Sequence, residues 1–166
     1  MPYGLKRYQQ AESLHFITFS CYHRLPYLST PQSKSLVESH LELTRARHQA
    51  RIYAYVLMPE HIHLVINEPP KILLAQFLKS FKQSTSRALK GTRDQFWQTR
   101  YFDRNISGED MSEVIQYIHR NPVKRGLCPR PEDYPWSSYV HYLTGTPGPV
   151  EIESEWTASR RSRQTP

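Results

Sequence analysis

Two β-favouring runs, separated only by Pro59-Glu60, constrain this chain more than any other feature. They are Arg51-Ile52-Tyr53-Ala54-Tyr55-Val56-Leu57-Met58 and His61-Ile62-His63-Leu64-Val65-Ile66-Asn67. Strand formers on both sides of so short a link imply an antiparallel hairpin. Residues two apart on a strand share one face. His61 and His63 therefore stand side by side, with Ile62 turned into the opposite layer. Two imidazoles on one rigid strand make half of a divalent-metal site. The same pattern also describes two polar residues on a partly open sheet face, and the motif alone does not choose.

The rest of the chain can be arranged around that hairpin. Leu14-His15-Phe16-Ile17-Thr18-Phe19-Ser20-Cys21 reads as a first strand after a polar, aromatic leader over residues 1–12. Thr30 is placed to cap a helix with Pro31 at its first position, and Val37, Leu41 and Thr44, with Leu36, His40 and Leu43, form its apolar stripe to about His48. A second helix is expected from about Lys71 to Lys90, buried through Leu74, Phe77, Leu78, Phe81, Thr85 and Ala88. The aromatic, basic run from Gln95 to Ile106 contains a fourth strand. Ser107 then caps a helix that Pro122 is expected to stop at Asn121. A short final helix is expected over residues 137–143. The order β-α-β-β-α-β, followed by another helix, predicts an α+β ferredoxin-like plate: an antiparallel sheet with helices packed on one face. Residues 1–145 read as one domain and 146–166 as a basic, mobile tail.

Composition narrows the class of partner. The 166 residues are 38% hydrophobic and 12% aromatic, which suits one globular domain with a sizeable core. Lys and Arg number 22 against 15 Asp and Glu, a net charge of +7 that favours a polyanion. Cys21 and Cys128 are too far apart for a CxxC site and point to a reducing compartment. Neither a signal peptide nor a membrane span is legible, so the expected location is the cytoplasm.

The basic residues are grouped. No acid occurs between Pro69 and Arg93, and Lys79, Lys82, Ser86 and Lys90 share one helical face. Such a row can track phosphates, although a solvated helix face has the same look. Trp97, Arg100, Tyr101 and Arg104 lie in the aromatic, basic run and are candidates for stacking on bases and pairing with phosphates. Phe102 is in the same run and fits a core position at least as well. Arg160, Arg161 and Arg163 give the tail unspecific phosphate affinity.

On the Ser107–Asn121 helix, Tyr117 and Asn121 are four apart and lie one above the other at the edge of the core stripe. A phenol is a possible nucleophile and an amide oxygen a ligand for a hard cation. A half-buried tyrosine and a pre-proline asparagine that ends a helix would look the same. His119 points away from that face and reads as a surface or DNA-contacting residue.

Three motifs in order, Met58-Pro59-Glu60-His61-Ile62-His63-Leu64-Val65-Ile66, Phe96-Trp97-Gln98-Thr99-Arg100-Tyr101-Phe102-Asp103 and Tyr117-Ile118-His119-Arg120-Asn121-Pro122-Val123-Lys124-Arg125-Gly126-Leu127, resemble the REP-associated tyrosine transposases. These are a branch of the single-tyrosine HUH transposases. The similarity runs on to Tyr134-Pro135-Trp136-Ser137-Ser138-Tyr139. It implies a ferredoxin-like fold, His61 and His63 as the metal-binding histidines, Tyr117 as nucleophile and Asn121 as a further metal ligand. It also implies Mg2+ or Mn2+, and single-stranded DNA cut near a short imperfect hairpin through a 5′-phosphotyrosine. The chain departs from the family pattern at Glu60, where Asn is usual, and at Arg125, where a small residue is common. Glu60 is placed to alter the charge at the metal or to join its ligands. Monomer and homodimer both remain open, since many relatives place one subunit's tyrosine helix in the other's site. Two other readings stay beside this one. The first is a module that binds structured nucleic acid without cutting it. The second is a metal hydrolase that uses His61 and His63 with His15 or His23.

Overall fold

The structure is a computed structural model that describes residues 13–164, so the expected leader over 1–12 lies outside the described residues. Its strands are β1 (Leu14–Ser20), β2 (Ile52–Leu57), β3 (His61–Asn67) and β4 (Phe102–Ile106). The helices are α1 (Pro31–His48), α2 (Leu74–Leu89), α3 (Gly108–Lys124), α4 (Tyr139–Thr144) and α5 (Glu155–Gln164). The strands form one sheet in the order β2-β3-β1-β4, each neighbour antiparallel. This is the ferredoxin-like plate expected from the element order.

Period-two alternation divides the core into two layers. Ile17, Phe19, Ile62, Leu64 and Ile66 face α1 and α2, where they meet Val37, Leu41, Phe77 and Phe81. Leu14, Phe16, Val56 and Val65 face the other way, against Val114 and Ile118 of α3. The two crossover helices thus share one face, while α3 packs on the opposite one. Both histidines belong to the α3 side, because His63 sits across from Thr18 and Val56 in one row of the sheet. A register shift between Ile52 and Ala54 lets Ile52 and Tyr55 both reach the α1/α2 layer.

The caps fall where local chemistry puts them. The Thr30 hydroxyl accepts from Ser33 N, and the Ser107 hydroxyl accepts from Asp110 N. Three expectations change. Leu43 is exposed, and the α1 stripe instead buries Lys34 and Glu38. Glu38 accepts a 2.6 Å hydrogen bond from the Tyr55 hydroxyl, and burial pushes its carboxyl up to about 7. Helix α3 also continues through Pro122 to Lys124. The ring removes one backbone donor, but Arg125 N still bonds the Asn121 carbonyl and closes the last turn.

The third change concerns the tail. Ile152 bridges Ile52 at the β2 edge, Val150 is buried, and α5 follows. Arg161 bonds the carboxylates of Glu151 and Glu153 at 2.6 Å each, and Arg45 reaches Glu151 at 3.2 Å. Arg161, read as free for phosphate, is thus paired within the segment, while Arg45 and the Ile52–Ile152 bridge fasten the segment to the domain. Trp136 to Ser138 cover the same edge, through bonds such as Leu57 N to the Trp136 carbonyl. No described helix is long and apolar enough to cross a membrane.

Candidate active site

The β3 strand fixes both imidazoles on the α3 face, and they are almost wholly buried at 5% and 6% exposure. Their Nε2 atoms face each other 3.1 Å apart. His61 Nδ1 lies 3.0 Å from the Glu60 carboxylate. An ionised carboxylate can only accept, so His61 carries its proton on Nδ1 and leaves a lone pair at Nε2. His63 Nδ1 lies 2.7 Å from the Thr18 hydroxyl, and when it donates there its Nε2 is free as well. Burial is the main force holding both rings neutral. It pushes His63 down to about 3, helped by the coupling to His61, since the two facing rings disfavour a second proton, and lowers His61 against the opposing pull of Glu60. Two lone pairs facing each other across 3.1 Å call for a proton or a cation between them. The spacing suits two neighbouring ligands of an ion with ligand distances of about 2.1 Å.

Helix α3 brings the second half. The Tyr117 ring stands 5.4 Å from the His63 ring and 6.1 Å from Phe16, with 46% of the residue exposed. Asn121, one turn on, is 9% exposed. An amide oxygen on the helix that carries Tyr117, together with two imidazoles with free lone pairs, is a donor set suited to a hard cation. No group of three or more His, Cys, Asp and Glu among the described residues is arranged to hold a metal. Both halves come from one chain.

The two departures from the family pattern meet here. Arg125 donates to the same Glu60 oxygen that faces His61, and the Arg24 guanidinium lies 3.9 Å from it. Glu60 is thus directed at Nδ1, the side of His61 away from His63. From there it is placed to orient and polarise the ring. Arg125 is carried just beyond α3, so the pair also ties the tyrosine helix to the histidine hairpin.

The other sequence candidates separate into distinct places. Lys79, Lys82, Lys90, Trp97 and Tyr101 line a groove of about 660 Å³ on the α1/α2 side. Trp97 is 4% exposed and its indole N–H donates to Thr85 at 2.8 Å, so it is a core residue and no stacking surface. Lys82 donates to the carbonyls of Gln98 and Thr99 and holds the loop before β4 against α2. Lys79 and Arg100 are exposed. Arg104 lies on the active-site face, its guanidinium 6.0 Å from the centre of the Phe16 ring. Arg160 reaches the Gly145 carbonyl, Arg161 is ion-paired and Arg163 is exposed, all on α5 at the β2 edge.

Two histidine readings are overturned. His119 is 6% exposed, bonds the Ser138 hydroxyl at 2.7 Å, and is pushed down by burial to about 4. It joins α3 to the segment on the β2 edge, which helical geometry alone could not reveal. His15 faces the α1/α2 side between Asp103 at 2.8 Å and Glu68 at 3.2 Å, and cannot complete a site with His61 and His63. Phe102, left between stacking and core in the sequence, is 54% exposed on the active-site face.

Fold and site together define a ferredoxin-like plate whose histidine strand faces a tyrosine helix. The family model described as "Transposase IS200 like" matches residues 9–121, and the chain belongs to that family. It is 28% identical over 137 residues to the REP-associated tyrosine transposase of Escherichia coli (strain K12), covering 81% of each chain. It is 29% identical over 100 residues to a putative REP-associated tyrosine transposase of Haemophilus influenzae (strain ATCC 51907 / DSM 11121 / KW20 / Rd), covering 52% of this chain and 57% of that one. Among solved structures, a REP-associated tyrosine transposase bound to a REP hairpin shares the fold, with a TM-score of 0.68, 23% identity and 86% of each chain covered. A putative transposase from Deinococcus radiodurans R1 gives a TM-score of 0.50 at 16% identity, over 66% of this chain and 90% of that one.

Proposed function

We propose that this transposase-family protein cuts and rejoins single-stranded DNA beside a REP-type imperfect hairpin, through a 5′-phosphotyrosine formed by Tyr117. The observation that carries the reading is the Tyr117 ring 5.4 Å from His63, whose Nε2 faces that of His61. His61, His63 and Asn121 would hold Mg2+ or Mn2+, which when bound supplies charge neutralisation and alignment at the scissile phosphate. The Tyr117 oxygen attacks phosphorus and forms a P–O bond, while the bond to the 3′ oxygen breaks. The phenolic proton passes to water and the leaving oxygen takes one up as a free 3′-OH. The ester conserves the bond, so attack by another 3′-OH reverses the step and joins strands without a nucleotide cofactor. On this reading Tyr117 works with the histidines of its own chain, whether the protein is a monomer or a homodimer. The relative bound to a REP hairpin supports a hairpin partner for this chain too.

End-labelled single strands carrying an imperfect hairpin test the reading. Wild-type protein with Mg2+ is expected to cleave them, and Tyr117→Phe or chelation to abolish cleavage. Cleavage by Tyr117→Phe at the wild-type rate would refute it. Hairpin binding with no cleavage under any metal would favour the non-cutting binding module.

A further inference from the structure

Phe102 is a large apolar side chain that the core does not need. It lies on β4, the edge strand of the sheet, and 54% of it is exposed. Its partner across β1 is Thr18, and the partner of Thr18 is His63, so Phe102, Thr18 and His63 form one row on one face. At a strand spacing of about 4.8 Å, Phe102 stands two strands, or about 10 Å, from His63. Its ring is 6.3 Å from Phe16 and meets it edge-on. Phe16 in turn touches His63 and Tyr117 and carries the Arg104 guanidinium above it. Arg104 has no carboxylate partner among the described residues, since neighbouring Asp103 points to the other face and bonds His15. An exposed aromatic ring beside an unpaired cation, linked to the nucleophile through Phe16, is the surface an unpaired nucleotide needs: a ring for the base and a charge for its phosphate.

We infer that Phe102 and Arg104 form a subsite for one unpaired nucleotide flanking the scissile phosphate, with the base stacked on Phe102. The occupant is single-stranded, because a base within a duplex keeps both faces covered by its neighbours. The inference rests on the reaction proposed above for the identity of the neighbouring phosphate. The stacking itself can be read without any cleavage.

The test is a binding scan in the Tyr117→Phe background, which retains the aromatic neighbour and removes the nucleophilic hydroxyl. Single abasic sites are placed one at a time along the unpaired strand beside the hairpin. At one position the abasic site is expected to weaken binding roughly 5- to 100-fold, the range for one stacked base. Phe102→Ala should cause a similar loss on intact DNA and add nothing to the loss at that position. Phe102→Trp should bind as well as the parent, and Arg104→Ala should reduce the salt dependence of affinity. If Phe102→Ala and every abasic site act independently, the subsite is refuted. A Phe102-dependent position found without any cleavage by wild-type protein would keep the subsite and overturn the reaction. Cleavage without such a position would do the reverse.

Discussion

Glu60 offers the sharpest perturbation, because its role depends on contacts that can be removed one at a time. Its carboxylate lies 3.0 Å from His61 Nδ1 and also receives Arg125. Replacing a group that orients a metal-bound histidine usually costs 10- to 100-fold in metal affinity, or about 1.4–2.8 kcal/mol. Glu60→Ala removes both acceptor and charge and is expected to fall in that range. Glu60→Gln keeps an acceptor at similar reach and should lose less. Arg125→Ala, which removes a half-exposed partner, should have the smallest effect of the three. The assay is calorimetric titration with Mn2+, with thermal melts confirming that each variant is folded and His63→Ala as the control that abolishes binding. Nitrogen NMR provides a second readout, since wild-type His61 should carry its proton on Nδ1. An unchanged Mn2+ affinity in folded Glu60→Ala, with the control still losing binding, would refute the argument that Glu60 acts through His61.

Other expectations follow from the packing. Trp97→Phe empties the indole's place and leaves Thr85 without its donor, so it should destabilise by about 1–3 kcal/mol in thermal melts while hairpin affinity of the folded protein stays the same. Burial holds His119 neutral down to about 4 against an ordinary value of 6.5, so its contribution is full above pH 6.5 and is lost as pH falls toward 4. His119→Gln should therefore show a shallower loss of stability than wild type across that window, by up to about 3 kcal/mol at its acid end. Arg161→Ala leaves the buried Glu153 carboxylate short of a partner and should lower stability by about 1–2 kcal/mol, yet leave the salt slope of DNA binding in place.

Much of the fold was legible because its signals are local. The two-residue link at Pro59-Glu60 forces the hairpin, Thr30 and Ser107 cap their helices, and alternation along β1 and β3 sorts each strand into two faces. The pairing of His61 with His63 follows from the same period of two. What the sequence could not convey depends on which surface meets which. Nothing local says that α3 lies on the histidine side of the sheet while α1 and α2 lie on the other. Trp97 and Phe102 stand in one aromatic, basic run, yet one fills the core beside Phe19 and the other faces solvent beside Phe16. His119 and the arginines of α5 look exposed on a helical wheel, and become structural only when residues 134–138 and 150–153 fold back along the β2 edge. The link between Glu60 and Arg125, 65 positions apart, is likewise a product of tertiary packing.

The central claim is that the helix tyrosine and the paired strand histidines form one reactive centre. Peptide mapping by mass spectrometry, after wild-type protein is incubated with hairpin-bearing single-stranded DNA and Mg2+ and then denatured, tests it most directly. A DNA adduct on Tyr117 that disappears in His61→Ala and in His63→Ala is the predicted result. An adduct on another residue, or one on Tyr117 that persists without both histidines, would contradict it.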